Sequence, residues 1–251
     1  MKMGMGAKVI ILFLIAGLVP LAVMGVLSNN SSSKALKQQA FNQLVSVRET
    51  KKKQIEDYFS TIRKQVRTFS ENGMVVDAMK GFKASFKDVR KQNDITDEKL
   101  DDYRTALKTY YTSDFTNEYR QQNNGQGPDA VGYFNQLDAD SLALQYYYIK
   151  ANHNQLGEKH NLDAADEVSS YSKLHAKYHP AIRDFLDQFG YYDIFLVDPD
   201  SGDIVYSVFK ELDYTTSLKD GPYASTNFGR VFRDASNSSD PNYVKLIDFE
   251  P

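Results

Sequence analysis

An α+β protein carried on an N-terminal membrane helix is the fold class this sequence predicts, and three observations predict it. Val9 to Leu27 is a run of 19 residues without a charge. The stretch beyond it places apolar side chains at three- and four-residue steps, the period of a helix. After Gly190 the pattern changes to dense aromatic and β-branched runs separated by a turn, the composition of strands. The bulk numbers agree with a folded chain: 251 residues, formal charge −3, 41% hydrophobic and 25% charged. Such a balance excludes wholesale disorder and fibrous repeats. It also argues against a general nucleic-acid binder, which would carry a basic excess. The absence of cysteine removes disulfide frameworks, thiolate metal sites and cysteine nucleophiles together.

The apolar run comes first. As a helix it covers about 28 Å, close to the hydrocarbon thickness of a bilayer. Pro20 inside it is tolerated better in a membrane helix than in a soluble one. Lys2 and Lys8 precede it and Ser28 to Ser33 follow, so the positive-inside tendency predicts a cytoplasmic N-terminus over residues 1–8 and export of residues 28–251. A cleavable signal peptide is the rival. Its apolar core is shorter and ends in small residues, whereas Gly25-Val26-Leu27 is a poor cleavage site. The reading is therefore an uncleaved transmembrane helix over 9–27.

Residues 34–72 then read as one stalk helix. Phe41, Leu44, Val45, Ile55, Phe59, Ile62, Val66 and Phe69 make a narrow stripe between charged flanks, a width suited to a partner helix or a coiled-coil seam. Gly73 interrupts the pattern, and Met74 to Arg90 resumes it as the start of a helical region over 74–165. Thr96 is placed to cap a helix, with Asp97 and Glu98 favouring its dipole. That helix runs past Tyr119 until Asn123 to Pro128 end it. Asp138 or Asp140 opens another through Tyr148, and 151–165 reads as loop. A last long helix carries Tyr171, Leu174, Tyr178, Ile182, Phe185 and Phe189, with Pro180 either bending it or setting its start and Gly190 as its left-handed terminator. Tyr191 to Val197 and Ile204 to Phe209 then read as strands around an Asp198–Asp203 turn. Ser225 or Thr226 caps a short helix to about Ala235, and Tyr243 to Phe249 reads as a third strand.

Chemistry is sparse. There is no glycine-rich phosphate loop, no nucleophile elbow and no zincin motif. His175 and His179 have the i, i+4 spacing that puts two imidazoles on one helix face, but no third ligand has an evident place, so a packing role is expected over metal binding. The carboxylates of 198–203 read as a hairpin turn, being too few and too closely spaced for a calcium loop. The expectation is a protein that is not an enzyme and needs no cofactor or metal. A small-ligand pocket is the positive expectation. Tyr178, His179, Arg183, Tyr191, Tyr192, Asp193, Tyr206, Lys210 and Asp213 gather where the last long helix enters the sheet, offering aromatic walls with a few charges. Ordinary packing of tyrosine at a helix–sheet junction is the competing account of each. Arg183 is the best single candidate, because a guanidinium grips a carboxylate through two hydrogen bonds.

The stretch Val47-Arg48-Glu49-Thr50-Lys51-Lys52-Lys53-Gln54-Ile55-Glu56-Asp57-Tyr58-Phe59 resembles the first extracytoplasmic helix of Cache-type chemoreceptors. So do Phe189 to Asp198, Gly202 to Glu211 and the continuation Thr216 to Tyr223. Together the chain resembles the N-terminal sensory region of methyl-accepting chemotaxis proteins. The resemblance implies an incomplete PAS-like (Cache) antiparallel sheet over 166–251 and homodimerisation through the stalk. It further implies a bacterial inner-membrane location with residues 28–251 periplasmic, a small-molecule ligand, and signalling to a histidine kinase complex through a cytoplasmic region not in this chain. The double-Cache signature of Arg followed shortly by Trp-Tyr is absent, there being no Trp. Three strands are few for a PAS-like sheet, so a fragment of a longer receptor is expected. The alternatives are the sensor of a membrane histidine kinase or nucleotide cyclase, or a ligand-free anchored scaffold.

Overall fold

A computed structural model describes residues 4–248. Lys2, Phe249 and Pro251, which entered the sequence arguments above, lie outside the described residues. The chain divides into two compact units, 1–62 and 63–251, and a single helix, α1 (Met5–Ser70), crosses the boundary between them.

In the first unit α1 is helical throughout. The polar segment Ser28–Ser33 does not interrupt it, because Ser and Asn cost a helix little when no Gly or Pro breaks the backbone. The segments expected as membrane span and stalk are therefore one helix, which ends at Ser70. At its N-terminal end the helix is long and apolar enough to cross a membrane, with mean hydropathy 2.9 over its most apolar window. Farther along, Phe41, Leu44, Ile55 and Phe59 are exposed, and Lys52 and Glu56 pair at i, i+4 across 3.9 Å.

The second unit begins with the last two turns of α1. Asn72 caps α2 (Gly73–Ser85), accepting from the Met74 amide at 2.9 Å. A 3₁₀ turn over 86–88 leads to α3 (Val89–Gln92). Thr96 caps α4 (Asp97–Thr109), as its position predicts, accepting from the Lys99 amide at 3.2 Å. A π-helical turn over 110–115 joins α4 to α5 (Thr116–Gln122). The short α6 (Ala130–Phe134), capped by Asp129, falls where the sequence suggested only a break. Asp138 caps α7 (Ala139–Gln145), and a second π-helical turn over 146–150 ends it. Ser169 caps α8 (Ser170–Phe189), which continues through Pro180 to Gly190 at φ 68°. Both ends of α8 are thus set by their caps, and Pro180 marks neither.

The sheet is small. β1 (Phe195–Val197) and β2 (Ile204–Ser207) pair antiparallel, Phe195 opposite Ser207 and Leu196 opposite Tyr206, with a bulge before Val197. The turn between them is the predicted one. Gly202 has φ 82°, and a Cβ there would lie 3.0 Å from the Lys219 amide nitrogen. Lys83 reaches from α2 to Asp198 at 2.8 Å and also to Asp200, fastening the turn to a helix. α9 (Asn227–Ser236) follows. The α+β class stands, in a mostly helical molecule. Two expectations are corrected. Tyr191 to Ile194 stay out of the strand: the Asp193 carboxylate accepts from the amides of Ile194, Val208 and Phe209, and only the Val208 amide, shared with the Ile194 carbonyl at 3.2 Å, continues the pairing. The described part of the expected third strand, 243–248, is irregular, its β-branched residues finding no strand to pair with.

The core of this unit is aromatic. Phe82 of α2 lies against Tyr171 of α8 at 5.0 Å and stacks on Tyr206 of β2 at 4.9 Å. Gly81 permits the approach of α2 to α8, since a Cβ there would meet the Leu174 methyls at 3.0 Å. Buried Gln145 accepts from the Tyr111 hydroxyl at 2.7 Å and donates to the Tyr214 carbonyl at 2.6 Å, binding α7 to the segment after the sheet.

Candidate functional site

The predicted pocket residues separate into groups. His179, Arg183, Tyr206 and Lys210 come together, whereas Tyr178, buried one residue before His179, has its ring 6.5 Å from Phe82 and under the Lys177 ammonium at 4.7 Å. Tyr192 does not join them: it is 74% exposed and donates to Glu211 at 3.0 Å. Tyr191 turns toward α1, donating to Gln65 at 2.9 Å and stacking near Phe185 at 6.0 Å. Asp193 sits at the edge, bonding backbone amides while remaining the carboxylate whose charge bears most on Lys210. Asp213 keeps a buried Oδ1 with no hydrogen-bond partner, and burial holds its carboxyl well above the ordinary range.

Two imidazoles dominate the convergent group. His175 and His179, one helical turn apart on α8, stack at 4.3 Å. His179 Nε2 is 2.6 Å from the His160 carbonyl, which can only accept, so the ring proton is on Nε2. Nδ1 is then the acceptor for the Tyr206 hydroxyl at 2.7 Å. His175 Nδ1 likewise donates to the Asp163 carbonyl at 2.6 Å, leaving Nε2 buried and without a partner. Burial drives both imidazoles toward the neutral form, with the Lys210 charge next in effect: His179 is held down at about 2 and His175 well below its usual value.

Lys210 is only 1% exposed and has φ 56°, a left-handed conformation that costs a non-glycine residue about 1–2 kcal/mol. Its Nζ donates to the carbonyls of Ser207 at 2.9 Å and Val208 at 3.0 Å, and lies 5.1 Å over the Tyr206 ring. Burial lowers its pKa well below that of an exposed lysine, against the attraction of Asp193. Arg183 Nη1 does not face an open pocket. It donates to the His160 carbonyl at 2.8 Å and pairs with Asp163 at 2.9 Å.

The partners of these side chains thus come mainly from one segment, 160–163, inside the loop 151–169. Three groups on one face of α8 grip its carbonyls and Asp163. Sequence reasoning missed His160, Asp163 and the role of His175. A Lys-His-Asn in a loop has no periodicity to betray it, and its contribution is mostly through backbone carbonyls that carry no residue signature. Tyr148 was also missed, although the run Tyr146-Tyr147-Tyr148 was a compositional signal; its ring lies 4.7 Å from His175. Among the described residues no group of three His, Asp or Glu is placed to hold a metal ion. What the arrangement does chemically is hold a loop by neutral, hydrogen-bonded imidazoles and one ion pair. No family model, curated protein or solved structure matches this chain.

Proposed function

We propose that this chain is the extracytoplasmic ligand-sensing half of a bacterial transmembrane chemoreceptor. In this reading Val9–Leu27 anchors it in the inner membrane, residues 28–251 are periplasmic, and the exposed stripe of α1 pairs with a second copy. The observation that carries the proposal is α1 itself. It is unbroken for 66 residues from an apolar, membrane-length end, and its last two turns are built into the second unit, where Phe69 packs on Phe185 at 4.3 Å. A continuous helix can carry a displacement along its axis that a flexible linker would absorb. A ligand that prefers one of two helix arrangements would shift their populations by its differential affinity.

The resemblance along the stalk and around β1 and β2 supports the same reading. It supplies the expected output, a histidine kinase complex controlled through a cytoplasmic coiled coil. The direct test is thermal unfolding of the full chain in lipid nanodiscs against a panel of small metabolites. At least one chemical class should raise the melting temperature, and Arg183→Ala, which removes one of the three grips on segment 160–163, should reduce that rise. A panel without any stabilising compound would contradict the proposal.

A further inference from the structure

The residues singled out by the sequence hold one side of the loop 151–169; the other side of that loop walls an open cleft. Lys99 and Tyr103 of α4, Tyr146 and Tyr147 of the second π-helical turn, and Leu162 and Ala165 of the loop enclose about 500 Å³. That is within the range of about 300–1,000 Å³ typical of small-molecule sites. Its tyrosines are ordered by one another. Tyr103 and Tyr146 stack face to face at 3.6 Å and 7°. Tyr147 stands edge-on to both at 5.6 Å. The Tyr103 and Tyr147 hydroxyls are 2.9 Å apart, so whichever one donates, the other keeps a proton for a further acceptor.

The charges around the cleft are arranged asymmetrically. Lys99 lies one helical turn before Tyr103 and holds its ammonium 5.7 Å over that ring. Among the described residues it has no carboxylate partner. Asp166 and His153, both exposed, come to the cleft from the loop and not from α4. A ligand with one anionic end is therefore drawn toward Lys99 and the spare tyrosine proton, and away from Asp166.

We propose that this cleft binds a small organic carboxylate with a planar apolar body. The carboxylate would pair with Lys99 and accept from the Tyr103–Tyr147 hydroxyl pair, and the body would lie against the tyrosine rings, Leu162 and Ala165. The inference deepens the sensing reading by naming a seat, and its consequence for signalling rests on that reading. The route is physical. Asp163 and His160, held by His175, His179 and Arg183, belong to the same loop as Leu162 and Ala165. In the π-helical turn, Tyr147 faces the cleft while its neighbour Tyr148 packs on His175. Such turns recur at functional sites because they offset successive side chains from the α-helical register.

The test is calorimetric titration and thermal unfolding of the full chain in nanodiscs with benzoate and 4-hydroxybenzoate, and with benzylamine as the charge-reversed probe. The acids should bind and stabilise the chain. Lys99→Met, an exposed position that leaves folding intact, should weaken them roughly tenfold, the effect of losing one charge-assisted hydrogen bond. Tyr147→Phe should weaken them by a smaller factor, and Asp166→Asn should leave them equal or tighter. Failure of both acids to bind, equal binding to Lys99→Met, or preference for benzylamine would each overturn the inference. A compound of another class that stabilises wild type and Lys99→Met alike would overturn the cleft and leave the sensing proposal standing. Acid binding that obeys the cleft variants while the α1 contacts of paired chains stay unchanged would uphold the seat and count against sensing.

Discussion

The two sides of the loop 151–169 use similar residues for opposite ends. Toward α8 and β2, tyrosine, histidine and lysine are buried and their polar atoms are spent on carbonyls and on one another, from His179 to Tyr206 and from Lys210 to Ser207 and Val208. Toward α4, tyrosine and lysine line open space, and Lys99 has an aromatic face beneath it but no carboxylate partner among the described residues. Composition does not separate a fastening from a binding site. Where the hydrogen-bonding capacity goes does, because a buried polar group must be satisfied at once whereas one in a cleft is held in reserve for water or a ligand.

The difference can be broken most forcefully on the fastened side. Tyr206→Ala should cost about 3–5 kcal/mol, since it empties the space beside Phe82 and leaves His179 Nδ1 without its donor. The check is the denaturant midpoint of the full chain. A smaller effect comes from acid. His179 and His175 stay neutral when folded but take up protons when unfolded below about pH 6.5, so the unfolded state binds more protons and stability falls as pH falls. Each imidazole contributes a slope of about 1.4 kcal/mol per pH unit below that point. Asp193 and Asp213 work in the opposite sense: burial raises Asp193 to about 6 and Asp213 well above its ordinary value, so as pH falls toward about 4 the folded state takes up extra protons and offsets the loss. Between about pH 7.5 and 4.5 the imidazole contribution should therefore be read as a difference: His179→Gln should lose less stability than wild type as pH falls, and an unchanged slope would show that His179 is not held neutral. The smallest effect belongs to the cleft. Lys99→Met should change the stability of the ligand-free chain by less than about 0.5 kcal/mol, as expected for an exposed side chain, and a larger loss would mean that Lys99 fastens the fold as well.

Signals that act within a few residues were the ones that could be read. Thr96, Asp138 and Gly190 announce their helix ends because a cap is a local hydrogen bond or a local φ. The turn at 198–203 is equally local. Features that depend on distant partners were not legible. Tyr243 to Asp248 has the composition of a strand yet is irregular, and the Asp193 carboxylate accepts from the amides just after β2. The two π-helical turns have no sequence signature, and α6 is hidden by the glycines and proline before it. Of the nine candidate site residues, the central four converge as a group, but His179 and Arg183 are spent on a loop carbonyl, Tyr206 on His179 and Lys210 on the carbonyls of Ser207 and Val208, with no open pocket between them. Tyr103 and Lys99, one turn apart on α4, and the Tyr146-Tyr147 pair could have suggested the cleft only through a contact between α4 and the end of α7 that sequence spacing does not encode.

On the proposed reading α1 is the paired, moving part of a sensor. The chain has no cysteine, so a single Leu44→Cys, on an exposed position of the stripe, reports contact between copies without background. Oxidative cross-linking of that variant in nanodiscs should give a covalent dimer, at a rate that changes when a stabilising ligand is added. A chain that stays monomeric under those conditions, or a dimer whose cross-linking is indifferent to every stabilising ligand, would contradict the account.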